Sequence, residues 1–397
     1  VGPGTPCGEY LRRFWQPVAL TEELKDLPHS IKIMGEELVI FRDHSGRVGL
    51  LELHCSHRGT SLEFGLIEEK GIRCCYHGWQ FDVDGKILDT PGEPPDSTYK
   101  ERLCHGAYPT VEYLGLVFAY MGPPEKQPLL PMYDTFNPVP GYRLSKPGRE
   151  DWPCNWLQIK DNCLDPFHTA ILHSINIMGN RFSEAFKEFG QLDWMETPNG
   201  LMYMHSRRKG DNIWVRITDF IAPNLHQISM NTEDSTTEHP PSNAWVIVWT
   251  VPVDDTNTSI FGFQFHPGTE PMPKRPSLSY PKRPYLETQR FPGDLEAQTS
   301  QRPIAVHGLE HLGATDRGII MLRGHLRRGI RAVADGKDPE SPARPDGGII
   351  TTYASNTVIK VPQAATSEEE KHLLLETGRM VSEGLVTGSL ERMQTPE

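Results

Sequence analysis

The sequence predicts an α+β protein in two parts, an all-β module followed by an α+β module built on antiparallel strands. Three observations carry this. Short apolar runs separated by Gly, Pro and Asp turn signals fill residues 31–121. Longer alternating runs recur between 200 and 267, flanked by helical patterns. The 35 Pro and 35 Gly among 397 residues suit a turn-rich chain with many strands. A chain of this length buries at least one full core and more readily two or three.

In chain order, residues 5–16 read as a short helix presenting Tyr10, Leu11, Phe14 and Trp15. "IKIMGEELVIFRDHSGRVGLLELH" reads as strands broken by "DHSG", and "FDVDGKILDTPG" as a hairpin turning at Asp84-Gly85. "YPTVEYLGLVFAYMG" ends the first half. The Pro-rich stretch 123–153 reads as a connector, so domains of 1–145 and 146–397 are expected. Residues 156–173 look helical. "GLMYMHSRR", "IWVRITDFIAP", "HQISMN", "AWVIVWTVPV" and "SIFGFQFHP" follow as half-buried antiparallel strands. Residues 267–290 look irregular. Helical patterns at 294–312 and 316–336 follow, the second stopping at Gly336, and 367–383 closes the chain as an amphipathic helix.

The formal charge of -12 argues against a nucleic-acid partner, which needs a basic face. No apolar run approaches the length of a bilayer span, so a soluble chain without a membrane partner is expected. The chain opens at Val1 without an initiator methionine or an apolar signal core, which suggests a trimmed N-terminus. Seven cysteines at irregular spacing make a poor disulfide framework and fit a reducing cytoplasm.

Two constellations carry chemistry. Cys55 and His57 form C-x-H, Cys74 and His77 form C-x-x-H, and sixteen residues separate the pairs. Two thiolates and two imidazoles on two loops suit one Zn, or a 2Fe-2S cluster with thiolates on one iron and imidazoles on the other. Cys75 offers a C-x-H of its own. Gly59 and Gly78 follow the pairs closely and let backbone N–H groups approach the sulfurs. The second constellation is D-x3-D-x2-H-x4-H, from Asp161 and Asp165 to His168 and His173. Two His and one carboxylate with open positions suit a non-haem Fe(II) that activates dioxygen. Residues five apart lie about 140° round an ideal helix, so the histidines converge only if the helix is distorted, and Pro166 supplies a reason. Two acids compete as the third ligand. Asp294 precedes a helix in "FPGDLEAQTSQRPI". Asp316, in "HLGATDRGII", is more simply a helix-start acid favoured by the dipole.

With both motifs, the chain from "EYLRRFWQPVAL" to "GIITTYASNTVIKVP" resembles the catalytic α subunit of a Rieske non-haem iron oxygenase, of the phthalate dioxygenase-like branch. The resemblance implies an all-β Rieske domain followed by an antiparallel-sheet, helix-grip-like catalytic domain with flanking helices. It implies a C-x-x-H second loop, so Cys55, His57, Cys74 and His77 hold the 2Fe-2S cluster and Cys75 is a bystander. Thr60 and Tyr76 stand where the respiratory type has an extra disulfide. His168, His173 and Asp294 are implied as ligands of the mononuclear Fe(II), Asp165 as the electron bridge to a neighbouring subunit's His77, and Asp161 as its support. Head-to-tail trimers or trimer-based assemblies are implied as well.

No Gly-rich nucleotide fingerprint follows a strand. Electrons from NAD(P)H are therefore expected through a partner, either a flavin reductase with an iron-sulfur centre or a ferredoxin with its reductase, with O2 as cosubstrate. Ile177 and Trp249 are candidate walls for an apolar, aromatic substrate. Arg207, Arg208 and Arg216 are candidate carboxylate partners. Hydroxylation and oxidative dealkylation share every motif named. The competing readings are an electron-transfer Rieske protein and a zinc-stapled binding module.

Overall fold

The computed structural model describes all residues except 138–141, 176–183, 231–232, 234, 269–281, 341–346 and 393–397. The chain forms two compact units. One holds Val1–Leu130 with Val251–Asp255 and Val333–Asp338, and the other holds Pro131–Thr250, Thr256–Ala332 and Pro339–Glu397.

The first unit carries three small sheets. His29–Ile33, Glu36–Arg42 and Val48–Glu52 pair antiparallel in sequence order, and Ala107–Tyr108 adds to the last. Met34 and Gly35 both have positive φ, as a two-residue hairpin turn requires. At "DHSG" the Asp43 carboxylate accepts from Ser45 Oγ and from the N–H groups of Arg47 and Gly71, which fixes the turn. A second sheet of Leu66–Ile67, Ile72–Arg73, Gln80–Phe81 and Ile87–Asp89 carries the Cys/His loops. Cys55 and Cys74 belong to the apolar core with Val39, Phe41, Leu51, Ile72 and Phe81. The loops are thus pinned by the residues that also offer sulfur.

The second unit is a sheet in the order Tyr142–Leu144, Thr258–Pro267, Ala244–Pro252, Leu225–Ser229, Asn212–Ile221, Gly200–Lys209, Gln191–Thr197. Gly148–Trp152 also pairs with Thr258–Pro267, and Ser355–Lys360 with Asn212–Ile221. Strand alternation sends side chains to two faces. Met202, Met204, Ile213, Val215 and Ile217 form one face and pack on Leu374, Val381 and Leu385 of the helix Ser367–Thr387. Thr366 and Glu369 cap that helix reciprocally, and Gly388 ends it in the left-handed region. The opposite face meets the helix Trp156–Cys163. Ile159 packs there on Val246 and Val248, and Trp194 Nε1 donates to the Leu164 carbonyl.

Four expectations change. The first helix is only Pro6–Leu11, and by Gln16 the chain is already a strand. The supposed connector contributes two sheet strands, with Trp152 buried against Ile260. The segment 156–173 is two helices, Trp156–Cys163 and His168–Ile175. The helix at 294 stops at Thr299, because Arg302 has φ +82 and Pro303 follows.

Asp219 lies fully buried on the face toward the C-terminal helix, where one oxygen accepts from Tyr353 N and Oδ1 has no partner. Burial raises its carboxyl to about 7. Below the unfolded value the group is protonated in both states, so its cost to the native state grows as pH rises from about 4 to 7. Asp219→Asn removes that cost. In paired thermal melts the variant gains on the native chain between pH 4 and 8, and an equal difference at every pH refutes the assignment.

Candidate metal centres

The two Cys/His loops are closed by the same hydrogen bonds. In the first, Cys55 N donates to Thr60 O at 2.9 Å and Gly59 N to Cys55 O at 2.8 Å. In the second, Cys74 N donates to Trp79 O at 2.8 Å and Gly78 N to Cys74 O at 3.1 Å. Gly59 and Gly78 both sit at φ +75, which only glycine adopts freely. The equivalence pairs Cys74, not Cys75, with Cys55. Cys74 is buried and Cys75 exposed. Burial pushes the Cys55 thiol up to about 11 with Cys74 adding to the rise, while the His57 and Arg58 N–H groups bond its sulfur and pull the other way. The His57 and His77 rings meet at 4.5 Å, and His57 stacks on Trp79 at 4.9 Å.

Two side chains missed in the sequence clamp these loops. Arg73 donates to Gly78 O at 2.7 Å and to Glu68, Gln80 and Asp89. Buried His105 donates from Nε2 to the Glu52 carbonyl at 2.9 Å, so its Nδ1 accepts from Ser56 Oγ at 2.6 Å. Neither shows a ligand-like spacing.

In the other unit, His168, His173 and Asp294 converge, with one donor atom from each within 4.8 Å of the others. Asp294 Oδ2 lies 3.3 Å from His173 Nε2 and Oδ1 lies 3.7 Å from His168 Nε2. Pro166 acts before the pair rather than between them. It breaks the chain after Cys163, so His168 opens the second helix and His173 closes on it at 5.1 Å. His168 Nδ1 donates to the Asp165 carbonyl, which leaves Nε2 free toward Asp294. Asp165 Oδ1 caps the turn by accepting from Phe167 N. Asn162, also missed, bonds Asp294 at 3.3 Å and His168 at 3.4 Å. Burial opposes charge on Asp294, yet His173, His168 and Asn162 hold its carboxyl below its usual range. Asp316 is elsewhere, capping Gly313 N at 2.7 Å.

Residues 14–107 match the Rieske [2Fe-2S] domain family. The chain is 41% identical to the tert-butanol monooxygenase / tert-amyl alcohol desaturase oxygenase subunit of Aquincola tertiaricarbonis, over 96% of this chain and 86% of that one. It is 42% identical to the phenoxybenzoate dioxygenase subunit alpha of Ectopseudomonas oleovorans, over 85% of each. The chain belongs to the Rieske non-haem iron oxygenases. Identity to the phthalate 4,5-dioxygenase oxygenase subunit of Pseudomonas putida is 30% over 84% of each chain, which puts it in the phthalate dioxygenase-like branch. Its fold matches that of the NdmA QL mutant of Pseudomonas putida CBB5 with caffeine, at a TM-score of 0.63 and 18% identity, over 91% of this chain and 100% of that one. This Rieske oxygenase is thus the oxygenase subunit of a multicomponent enzyme acting on a small molecule, rather than a lone electron carrier or a zinc module.

The donor sets fit the groups the family carries. Two buried sulfurs and two imidazoles, with His57 Nδ1 buried and without a partner, suit a 2Fe-2S cluster. Two imidazoles and one carboxylate suit a non-haem iron. Among the described residues no helix is long and apolar enough to cross a membrane.

The remaining candidates separate by face. Arg207 and Arg216 point to the side of the helix Trp156–Cys163 and are buried. Arg208 points the other way and pairs with Glu370 of the C-terminal helix at 2.7 Å. Trp249 also faces away, packing on Phe136 and Phe263 rather than toward the metal side. Ile177 lies outside the described residues. Asp161 does not reach the metal trio. Arg323 holds it at 2.6 Å while also bonding Glu310, and burial raises the Asp161 carboxyl to about 6. Removing that cation strands a buried carboxylate. Arg323→Leu should cost about 3–5 kcal/mol in urea unfolding, by the usual penalty for breaking a buried pair. An unchanged midpoint rejects this.

Proposed function

We propose that the oxygenase takes electrons one at a time from an NAD(P)H-dependent partner reductase and spends them with O2 on an anionic aromatic substrate. Cys55, Cys74, His57 and His77 are the cluster ligands in this reading, and His168, His173 and Asp294 hold the iron. The observation that carries it is the convergence of the last three on adjoining helices, with Asp294 in its charged form. When bound, the cluster supplies one-electron transfer and the iron supplies dioxygen activation. The protein's own work is orientation. Asp165 fixes the His168 tautomer through its carbonyl, and its carboxylate, 3.7 Å from His168 Nδ1, is the proposed contact for His77 of the neighbouring subunit in a head-to-tail trimer. The half-exposed His77 is available for that role. The seven free cysteines suit the cytoplasm.

The substrate's charge is argued from Arg207 and Arg216. Arg207 lies over Trp214 and Phe186, and its two terminal nitrogens have no partner. Arg216 donates to Tyr203 Oη at 2.6 Å, and its Nε has no partner. Neither pairs with a carboxylate among the described residues, and buried cations call for an anion. Of the two relatives at 41% and 42% identity, phenoxybenzoate dioxygenase is named for a carboxylate and tert-butanol monooxygenase for a neutral alcohol. The arginines favour the first kind. Ring hydroxylation or dealkylation is read from the product's mass.

With a supplied reductase, NAD(P)H consumption coupled to O2 uptake and to a mass shift in 3-phenoxybenzoate is expected. Arg216→Met should raise KM at least about tenfold, the scale of one lost charge-assisted bond. Turnover of neutral alcohols in preference to the acid overturns the substrate reading.

Ligand assignment has its own test. Cys74→Ser should abolish the reduced cluster's electron-spin signal and Cys75→Ser should leave it intact. Asp165→Ala should keep both metals while turnover falls by about a hundredfold or more, on the scale of lost orienting partners. A metal-replete Asp165→Ala enzyme with native turnover removes the bridge.

A further inference from the structure

Three side chains near the metal trio take no part in the arrangement above. Lys160 is fully buried on the helix Trp156–Cys163. Its Nζ lies 2.6 Å from His226 Nδ1, and His226 Nε2 lies 3.2 Å from Cys163 Sγ. Lys160 and Cys163 stand three apart on one helix, so both reach the same strand residue. The Cys163 thiol also meets the Ile159 carbonyl at 3.1 Å.

The donors fix the direction of this chain. An ammonium donates and cannot accept, so His226 Nδ1 accepts. Neutral His226 then carries its proton on Nε2 and donates it to sulfur. No carboxylate bonds Lys160 among the described residues, and this buried cation rests against an imidazole. Burial pulls its ammonium down to about 8, with Cys163 pulling the other way. Burial likewise drives His226 well below the imidazole range, with Lys160 adding to the fall, so it stays neutral. Lys160 and His226 are buried and Cys163 less fully so, and burial pushes the Cys163 thiol up to about 11 while Lys160 pulls it down. Cys163 follows Asn162, which touches both His168 and Asp294.

We propose that Lys160, His226 and Cys163 form a proton reservoir serving oxygen chemistry at the His168–His173–Asp294 centre. The customer of those protons rests on the oxygenase reading, whereas the coupling of the three groups does not. Substrate, O2, two electrons and two protons give either a dihydroxylated product, or a monohydroxylated product and water. The reductase supplies the electrons, and the relay supplies one of the two protons, the other coming from water. The Cys163 S–H bond breaks toward the reacting oxygen. His226 Nε2–H then reprotonates the sulfur as Nδ1 takes a proton from Lys160 Nζ. Between turnovers Cys163 gives its proton to His226 Nε2 as Nδ1–H recharges Lys160 Nζ, and the thiolate then takes a proton from water.

The test compares Lys160→Met, which removes charge and proton, with Lys160→Arg, which keeps the charge but has no proton to release. The first readout needs no metal. Alkylation of Cys163 by iodoacetamide at pH 8, followed by mass spectrometry, should slow about tenfold in Lys160→Met, since one unit of thiol pKa is tenfold in thiolate. Lys160→Arg should keep the native rate. The second readout is turnover of 3-phenoxybenzoate with reductase. Both variants should lose at least about tenfold in kcat at unchanged KM, with a larger solvent deuterium effect, the scale of a general acid–base contribution. Equal alkylation in Lys160→Met and the native enzyme, or native kcat in Lys160→Arg, overturns the reservoir. A native enzyme that ignores 3-phenoxybenzoate refutes the substrate reading alone, and the alkylation rates then decide the coupling.

Discussion

A charged carboxylate held between two imidazoles is the interaction on which the second unit's candidate metal centre depends. Asp294 stands 126 residues beyond His168 in sequence numbering (294 − 168) and meets it only because two helices are sewn together. Gln158 does the sewing. Its amide donates to the Gln298 and Arg302 carbonyls and accepts from Ala305 N, tying the helix that leads to the histidines to the turn after Asp294. Asn162 adds a direct bond to Asp294 on the same side. A desolvated carboxylate stays charged only where such partners outweigh its burial. Here they do, and that leaves a donor set ready for a cation.

The redox loops solve a different problem with the same economy. Their cysteines are core residues, so the packing that stabilises the unit also sets the sulfur positions. A left-handed glycine then returns each loop onto its own cysteine carbonyl. The loops differ in where the histidine falls between cysteine and glycine. That difference is why one reads C-x-H and the other C-x-x-H, although each cysteine stands four residues before its glycine.

Motif spacing made most of both centres legible in the sequence, because ligand types cluster within a loop or a helical turn. The fold class and the strands of the large sheet were legible from alternation. Residues that act across elements were not. Asn162, Lys160, His226, Arg73 and His105 have ordinary neighbours in sequence, and only the fold gives each its partner. Local context favours Asp294 over Asp316, and what context does not contain is that Asp294 lies beside two distant histidines while Asp316 caps Gly313. The strands at 142–152 are not legible in the sequence because edge strands with Arg, Glu and Asp lack apolar alternation.

The sheet's two faces explain why three adjacent-looking arginines cannot share a role. Arg207 and Arg208 are neighbours in sequence, yet alternation sends one to the metal side and the other to Glu370. Arg216 rejoins Arg207 because His205 and Arg216, like Arg207 and Trp214, are directly paired across two strands. The same parity carries His226 to the metal side, through its pairing with Phe220. Cationic groups without carboxylate partners therefore collect on one face, while the other is given over to Met, Ile and Val against a helix. The apolar face carries a buried carboxyl of its own, Asp219, whereas the buried cations lie on the side of the helix Trp156–Cys163.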